Sequence, residues 1–219
     1  NHLEIGPKHV RVALIQYNTE AFVRFQFLSS KSAILKKIDE LKFSEGITVT
    51  GDALELAIKD VFPHARKGVK KSVLLVTDGK PLGGADPIPV AAKLKKDSVI
   101  INCVGITDDI DPTELKGISS DNSYVRVKEF NDLDRFVKQV TDKTCKSVIV
   151  PTLPPKPAPP KPKPKEECKH GKGDIVIVLD TSTSVGPDNF QIEQTFLKIL
   201  VSKWTIGSDA VRVALVQFN

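Results

Sequence analysis

The chain has 219 residues, 40% of them hydrophobic and 27% charged, which is typical of a folded globular protein and excludes a disordered tail. Its net charge of +5 comes mainly from one Lys/Pro segment and not from a basic face with interleaved aromatic residues, so nucleic acid is not expected as a partner. No apolar run approaches the ~20 residues of a membrane span, so no membrane insertion is expected. The lack of any Met or signal peptide indicates a processed product or a piece of a longer chain.

The first part of the chain alternates short apolar runs with amphipathic ones. Residues 10–17 and 21–27 flank a polar turn and are predicted to form a β-hairpin. Beyond them, apolar residues recur either at helical spacing or in short β-branched runs typical of buried parallel strands. The predicted elements are helices at 32–43, 51–62, 86–97, 111–118 and 131–145, and strands at 72–79, 98–106 and 124–130.

A proline-rich segment follows. Residues 147–172 hold eight of the 15 prolines, interspersed with lysines. Proline fixes φ and removes a backbone donor, so we predict an extended polyproline II linker between two domains. A ligand for a proline-binding module is the less favoured interpretation. After the linker, residues 174–180 are predicted to form a buried strand and residues 187–204 a helix, with Ile192, Phe196, Ile199 and Leu200 facing inward.

The chain contains an internal repeat, because VRVALVQFN at 211–219 matches VRVALIQYN at 10–18 with two conservative changes. The first copy lacks what should precede it, and the second lacks what should follow it. We therefore predict a first domain at 1–146 without its first strand and helix, the linker at 147–172, and the first strand, helix and second strand of a second domain at 173–219. Alternating strands and helices predict a mostly parallel α/β sheet covered on both faces, with an antiparallel edge.

Polar side chains cluster where the strand at 174–180 ends. Asp180, Ser182 and Ser184 stand in DTSTS just before a helix, at the edge of an α/β sheet where ligands bind. Carboxylate and hydroxyl oxygens suit Mg²⁺, Mn²⁺ or Ca²⁺ better than Zn²⁺. Thr48, in a loop before a helix, and Asp78, at the end of a buried strand, are expected to face the same crevice. Taken singly, these residues also fit helix caps and strand-ending turns.

Three segments together carry a resemblance to a known family. DIVIVLDTSTSVG, GITVTGDALELA and SVLLVTDGKP resemble the von Willebrand factor type A family, especially its tandem secreted members. The resemblance implies a Rossmann-like, doubly wound sheet of six strands and a metal-ion-dependent adhesion site. The family's five metal-site positions correspond to Asp180, Ser182, Ser184, Thr48 and Asp78.

The order of these segments departs from the family pattern, since Thr48 and Asp78 precede the linker and the DTSTS residues follow it. Either the missing halves lie outside this numbering, or the two pieces fold together as a circular permutant. The duplicated strand favours the first arrangement, because two copies cannot occupy one position in a sheet.

The three cysteines receive separate interpretations. Cys103 lies inside an apolar strand and is predicted to be a buried, inert thiol. Secreted members of the family commonly join their domain ends by a disulfide, which makes Cys145 and Cys168 candidates. They would pair with each other only in the permuted arrangement. Cytosolic free thiols are the alternative.

Three functions compete. The first is a secreted extracellular-matrix or adhesion protein that binds matrix proteins, collagen among them, through the divalent cation and an acidic partner residue. The second is a structural matrix module with a vestigial metal site, which binds by charged surfaces. The third, a phosphotransfer enzyme with Asp180 as nucleophile, is disfavoured, because Ser182 occupies the place of the required second acid and no phosphate-binding Gly loop is present. The oligomeric state is not predicted.

Overall fold

The computed structural model describes residues 3–148 and 172–206, with side chains up to residue 204. None of the described helices is both long enough and apolar enough to span a bilayer. The elements follow in chain order: β1 Glu4–Ile5, β2 Val10–Tyr17, β3 Ala21–Leu28, α1 Lys31–Asp39, α2 Thr50–Leu56, β4 Lys70–Thr77, α3 Pro87–Lys96, β5 Val99–Ile106, α4 Pro112–Ile118, β6 Tyr124–Val127, α5 Leu133–Val148, β7 Gly173–Asp180, α6 Gly186–Lys203 and β8 Thr205–Ile206.

All the strands belong to one sheet, in the order β6-β5-β4-β7-β2-β1-β8, with β3 paired to β2. The long strands β4, β5, β6, β7 and β2 run parallel. Strand β7 lies between β2 and β4, with Ile177 opposite both Leu14 and Leu74. Strand β7 is the central strand of the sheet, and every one of its residues is buried.

The core has two layers, one on each face of the sheet. Successive side chains of a strand point to opposite faces, so Ile175, Ile177 and Leu179 of β7 face one layer, while Val176 and Val178 face the other. The first layer is completed by α1, α5 and α6, and the second by α2, α3 and α4. The predicted doubly wound α/β arrangement is therefore present.

The prediction of two tandem domains is wrong for the described residues. Strand β7 and helix α6, assigned to a second domain at 173–219, complete the sheet and core that begin in residues 3–148. Strands β4 and β2 do not pair with each other. Strand β7 lies between them and is hydrogen bonded to β4 along one edge and to β2 along the other. The first copy of the repeat forms β2. The second copy, and most of the predicted linker at 147–172, lie outside the described residues.

The strand count and some helix ends also differ from expectation. Over residues 3–148 and 172–206, the sheet has eight strands where six are predicted, because the two-residue strands β1 and β8 pair beside β2. Strand β3 forms the predicted hairpin with β2 and runs antiparallel to it. Beyond β2, the sheet therefore contains the antiparallel strand β3 and also the short parallel strands β1 and β8. The prediction was a single antiparallel strand at this edge. The predicted helix at 51–62 begins as α2 and continues as a π-helical turn and a 3₁₀ turn.

A buried ionic cluster joins residues 172–206 to residues 3–148. The carboxylate of Asp174 in β7 accepts hydrogen bonds from Nη2 of Arg11 at 2.7 Å and from Nη2 of Arg66 at 2.8 Å. Arg66 also donates to the carbonyl oxygens of His9 and Gly173. Burial raises the pKa of Asp174, but the hydrogen bonds from the two arginines outweigh it, so the net pKa is lowered.

We expect Asp174→Ala to lower the free energy of unfolding by about 2–4 kcal/mol. The Asp174 side chain is fully buried, whereas Arg11 and Arg66 retain 19% and 23% exposure, which reduces the penalty of leaving them unpaired. Urea unfolding at neutral pH measures this loss. Asp39→Ala is the matched control, because Asp39 also bridges the two segments through Lys198 but is 58% exposed. It should cost less than about 1 kcal/mol. Equal losses in the two variants would contradict a dominant role for the buried cluster.

Candidate functional site

The DTSTS loop begins at the carboxyl end of β7, where Asp180 is fully buried. Its Oδ1 accepts a 3.0 Å hydrogen bond from the backbone N–H of Ser182, and its Oδ2 accepts a 2.7 Å bond from the hydroxyl of Thr77. The next turn leads directly into α6. Asp180 is thus held by the end of one strand, a neighbouring strand and its own loop.

The structure brings the other four predicted site residues to the same place. Thr48 Oγ1 donates to Ser182 Oγ at 3.0 Å, and the hydroxyls of Ser182 and Ser184 are 3.1 Å apart. Ser184 Oγ donates to Asp78 Oδ1 at 2.9 Å. A chain of oxygen atoms therefore joins residues from both sides of the linker. These residues meet because β4 and β7 are neighbouring parallel strands that end at one edge of the sheet.

The loop carrying Thr48 is fixed by contacts on both of its sides. Asn18, at the end of β2, donates to the backbone carbonyl of Glu45 at 2.9 Å. The backbone of Gly46 exchanges hydrogen bonds with Thr183, whose N–H donates to the Gly46 carbonyl at 2.8 Å. Gly46 has φ of +151°, and a side chain there would overlap Thr19, so glycine is required for this close approach. Thr48 is consequently positioned by the loop that carries Ser182 and Ser184.

Burial disfavours the charged forms of both carboxylates of the site, and the charge of Asp180 adds to this effect at Asp78. Burial, followed by the charge of Asp180, raises the pKa of Asp78 to about 7. Burial also raises the pKa of Asp180, against the hydrogen bonds that it accepts. Among the described residues, no cationic side chain is one of the main causes of the pKa shift of Asp78 or Asp180. The site therefore concentrates negative charge that a bound cation would offset.

The donor set fits a hard divalent cation. Asp78 and Asp180 supply carboxylate oxygens, and Thr48, Ser182 and Ser184 supply hydroxyl oxygens. Over the described ranges, no three His, Cys, Asp or Glu side chains group together as metal ligands. That result agrees with a set in which most of the oxygens are hydroxyls.

Other side chains that support the site were missed by the sequence interpretation. Tyr17, at the end of β2, places its hydroxyl 3.4 Å from Asp180 Oδ2 and 3.3 Å from the hydroxyl of Thr50. Gln16 donates to Thr181 Oγ1 at 3.0 Å. Thr77 belongs to the same group. Their position in the sequence could have identified Gln16, Tyr17 and Thr77, since each is a polar residue at the carboxyl end of an otherwise apolar run.

Glu193 is an unexpected acid beneath the site. It lies on α6, is fully buried, and neither of its carboxyl oxygens has a hydrogen-bond partner among the described residues. Burial raises the pKa of Glu193 well above its ordinary value, and the charges of Asp180 and Asp78 raise it further. Burial therefore favours the neutral form of the side chain, and an unpaired polar group buried in this way lowers the stability of the fold.

The cysteines agree with part of the prediction. Cys103 is a free, fully buried thiol whose pKa is raised to about 12 by burial, which makes it inert. Cys145 is also buried, at the end of α5. Cys168 lies outside the described residues, so its pairing with Cys145 stays a prediction.

We expect Glu193 to make the protein less stable as pH rises. A carboxyl with a raised native pKa contributes stability that is complete below its unfolded pKa of about 4.5 and is lost as pH approaches the native pKa. Glu193→Gln should therefore reduce the loss of stability as pH rises above about 4.5, measured by urea unfolding in EDTA. Glu193→Leu should add about 1–3 kcal/mol at pH 7, because it removes an unpaired buried polar group. Identical pH profiles for the wild type and Glu193→Gln would contradict this assignment.

The chain matches a protein-family model. The family is described as the von Willebrand factor type A domain, and the match covers residues 1–139 and 174–219. The collagen alpha-4(VI) chain of Mus musculus is 29% identical over 98% of this chain and 8% of its own length. Matrilin-1 of Homo sapiens is 23% identical over 99% of this chain and 50% of its own length. The chain therefore spans less than a tenth of the collagen relative and half of matrilin-1.

Solved structures with a similar fold include a matrix protein. Proximal thread matrix protein 1 from the mussel byssus is 31% identical, with a TM-score of 0.61 over 65% of this chain and 36% of that one. Its metal-ion-dependent adhesion motif is described as occupied by zinc. A von Willebrand factor type A protein from Catenulispora acidiphila is 21% identical, with a TM-score of 0.50 over 63% of this chain and 33% of that one, and supports the fold alone.

Proposed function

The chain belongs to the von Willebrand factor type A family, and from this membership and the site geometry we propose that it binds extracellular-matrix proteins through a divalent cation. The observation that carries the proposal is the convergence of Asp180, Ser182, Ser184, Thr48 and Asp78 into one cluster of oxygen atoms. The similarity to collagen VI chains, matrilin-1 and a byssal matrix protein supports a secreted matrix protein that is not an enzyme.

The residues of the site have distinct parts in this proposal. Asp180 and Asp78 would supply negative charge, and the three hydroxyls would supply neutral oxygens that leave much of a cation's charge uncompensated. A bound cation supplies a Lewis-acidic position for one further oxygen ligand. Thr77 and the loop N–H of Ser182 hold Asp180 in a fixed orientation, so the cluster is preorganised. We propose Mg²⁺ as the ion, with Mn²⁺ or Ca²⁺ as alternatives. The zinc in the byssal neighbour makes Zn²⁺ a necessary comparison.

The partner proposed is a protein that presents an acidic side chain beside apolar ones. Ile47 and Leu82 are exposed by 41% and 72%, next to Thr48, whose carbonyl accepts a hydrogen bond from the N–H of Leu82. A partner carboxylate would supply one further oxygen ligand to a cation held by the site, and apolar neighbours in the partner would pack on these two side chains. Collagen is the matrix protein that we propose to test first.

A module with a vestigial site is the second candidate, and one observation favours it. The hydroxyls of Thr48, Ser182 and Ser184 are hydrogen bonded to one another and to Asp78, so the cluster is internally satisfied. In that case the partner would contact charged surfaces, and its binding would weaken in high salt but not in EDTA.

A saturating divalent cation should stabilise the wild-type protein. A ligand present at 100 times its dissociation constant adds about 2.7 kcal/mol to the free energy of unfolding. Asp78→Asn should lose most of this gain, while in EDTA it should be at least as stable as wild type, because one of two neighbouring buried carboxylates is removed. Thermal unfolding in EDTA, Mg²⁺, Mn²⁺, Ca²⁺ and Zn²⁺ tests both statements. An equal gain in the two proteins would place the cation elsewhere.

Partner binding should depend on the same residues. We expect collagen binding, measured by surface plasmon resonance, to fall at least tenfold in EDTA and in Asp180→Ala. Asp188→Ala is the matched control, because Asp188 lies exposed in the first turn of α6 and should leave the affinity unchanged. Undiminished binding in both EDTA and Asp180→Ala would overturn the metal-dependent mechanism, and a loss in 0.5 M salt alone would support the charged-surface candidate.

A further inference from the structure

A charged cleft lies at the β6 edge of the sheet. Among the described strands, β6 is the last on this side and pairs with β5. Residues 121–125 form one wall of the cleft and α5 forms the other. Its volume of about 540 Å³ lies within the range of about 300–1,000 Å³ that is typical of ligand sites. Because residues 121–125 are at the amino end of β6, whereas the metal site is at the carboxyl ends of β4 and β7, the two sites are separate.

One face of α5 carries a row of cationic side chains along the cleft. Arg135, Lys138 and Lys146 lie on this face together with Gln139 and Asp142, because these positions are three or four residues apart in sequence. The side chains of Arg135 and Lys138 are 80% and 85% exposed, and Lys146 is also exposed. The helix rises about 16 Å from Arg135 to Lys146. The row therefore suits a long ligand with repeated charges.

A fourth cation, Lys143, ties the two walls together. Its Nζ donates to the carbonyl oxygen of Ser123 at 2.9 Å and to the hydroxyl of Ser123 at 2.7 Å. It also forms an ion pair with Asp121 at 3.1 Å. The walls of the cleft are thus fixed to each other by hydrogen bonds within the protein. Since Lys143 uses its donors in this way, ligand binding is assigned to the three exposed cations.

The charges of the cleft favour an anionic ligand. Its lining contains four cationic side chains against the two carboxylates of Asp121 and Asp142. Lys138 Nζ donates to Asp142 Oδ2 at 2.7 Å, and Arg135 pairs with Asp132 at 2.7 Å. Both pairs join side chains that are three or four residues apart on a highly exposed surface, so they contribute little in water and a ligand can replace them.

The chemistry of the lining distinguishes between kinds of anionic polymer. Arginine binds tetrahedral oxyanions such as phosphate through two N–H groups, and a sulfate ester presents the same arrangement of oxygen atoms. A single-stranded nucleic acid also needs aromatic rings on which its bases can stack. Tyr124 is the aromatic residue of the lining, and it packs with the core layer of α2, α3 and α4 on the other face of the sheet. A sulfated polymer without bases therefore fits better.

We propose that the cleft between β6 and α5 binds a linear sulfated polysaccharide, whose successive sulfate groups contact Arg135, Lys138 and Lys146. Asp142 lies between these cations on the helix and competes with the ligand for Lys138, so it limits the affinity. Binding at this cleft requires neither a divalent cation nor a protein partner. The proposal is therefore independent of the function proposed for the metal site.

Binding of the full chain to immobilised heparin in EDTA tests the row of cations. Changing Arg135, Lys138 and Lys146 together to Gln should weaken binding at least tenfold. The slope of log affinity against log salt should become shallower by about two to three, because each lost contact releases fewer counterions. A matched control removes the same charge from three exposed lysines elsewhere: Lys36, Lys59 and Lys93. An equal loss in the control, or wild-type protein that does not bind heparin, would overturn the proposal.

A second experiment tests the part of Asp142 and the need for sulfate. Asp142→Asn should strengthen heparin binding at least twofold, because it frees Lys138, whereas Asp39→Asn, which removes a carboxylate paired with Lys198, should not. Hyaluronan, which lacks sulfate, and single-stranded DNA should compete at least tenfold less well than heparin. Equal competition by either polymer would overturn the assignment to sulfated polysaccharide.

The metal dependence separates this cleft from the metal site. Heparin affinity should be the same in EDTA and in Mn²⁺, and Asp180→Ala should leave it unchanged. Heparin binding that is lost in EDTA or in Asp180→Ala would place the ligand at the metal site and overturn the proposal. Heparin binding that persists while collagen binding is absent would count against the proposed function and support the separate cleft.

Discussion

The hydrogen bonds that β7 makes along both of its edges are the interaction on which the rest of the structure depends. They join β4 to β2, two strands that otherwise have no contact in the sheet. The side chains of β7 divide between the two core layers, so both layers need this strand. Its last residue, Asp180, belongs to the site and accepts a hydrogen bond from the N–H of Ser182 in the loop that follows. The same strand therefore supports the fold and the site.

The local structure and the identity of the site residues could be predicted from sequence because both follow from short-range rules. Buried parallel strands are apolar and β-branched, so β4, β5 and β7 were predicted close to their observed positions. Asp78 and Asp180 meet because the ends of neighbouring parallel strands meet. This argument does not require knowledge of which part of the chain supplies each strand.

The arrangement of the two pieces could not be predicted in the same way. The repeat shows that two segments fit the position of β2, but nothing local decides which copy occupies it. A similar limit applies to α6, where helical spacing placed Ile192 and Ile199 inward. The structure packs both isoleucines against the core, partly buried, and fully buries Glu193 and Leu197 as well. Since Glu193 is polar, no pattern of apolar residues could have placed it in the core.

The site joins side chains of residues 3–148 to side chains of residues 172–204, and this has a thermodynamic consequence. A cation that binds residues on both sides of a contact stabilises the state in which that contact is formed. Because linkage is reciprocal, formation of the contact also strengthens binding of the cation. Without a cation, burial disfavours the charged forms of Asp78 and Asp180, and the charge of Asp180 adds to this effect at Asp78. A cation that bridges them would offset this effect. It would therefore strengthen the docking of β7 and α6 against the rest of the sheet and core.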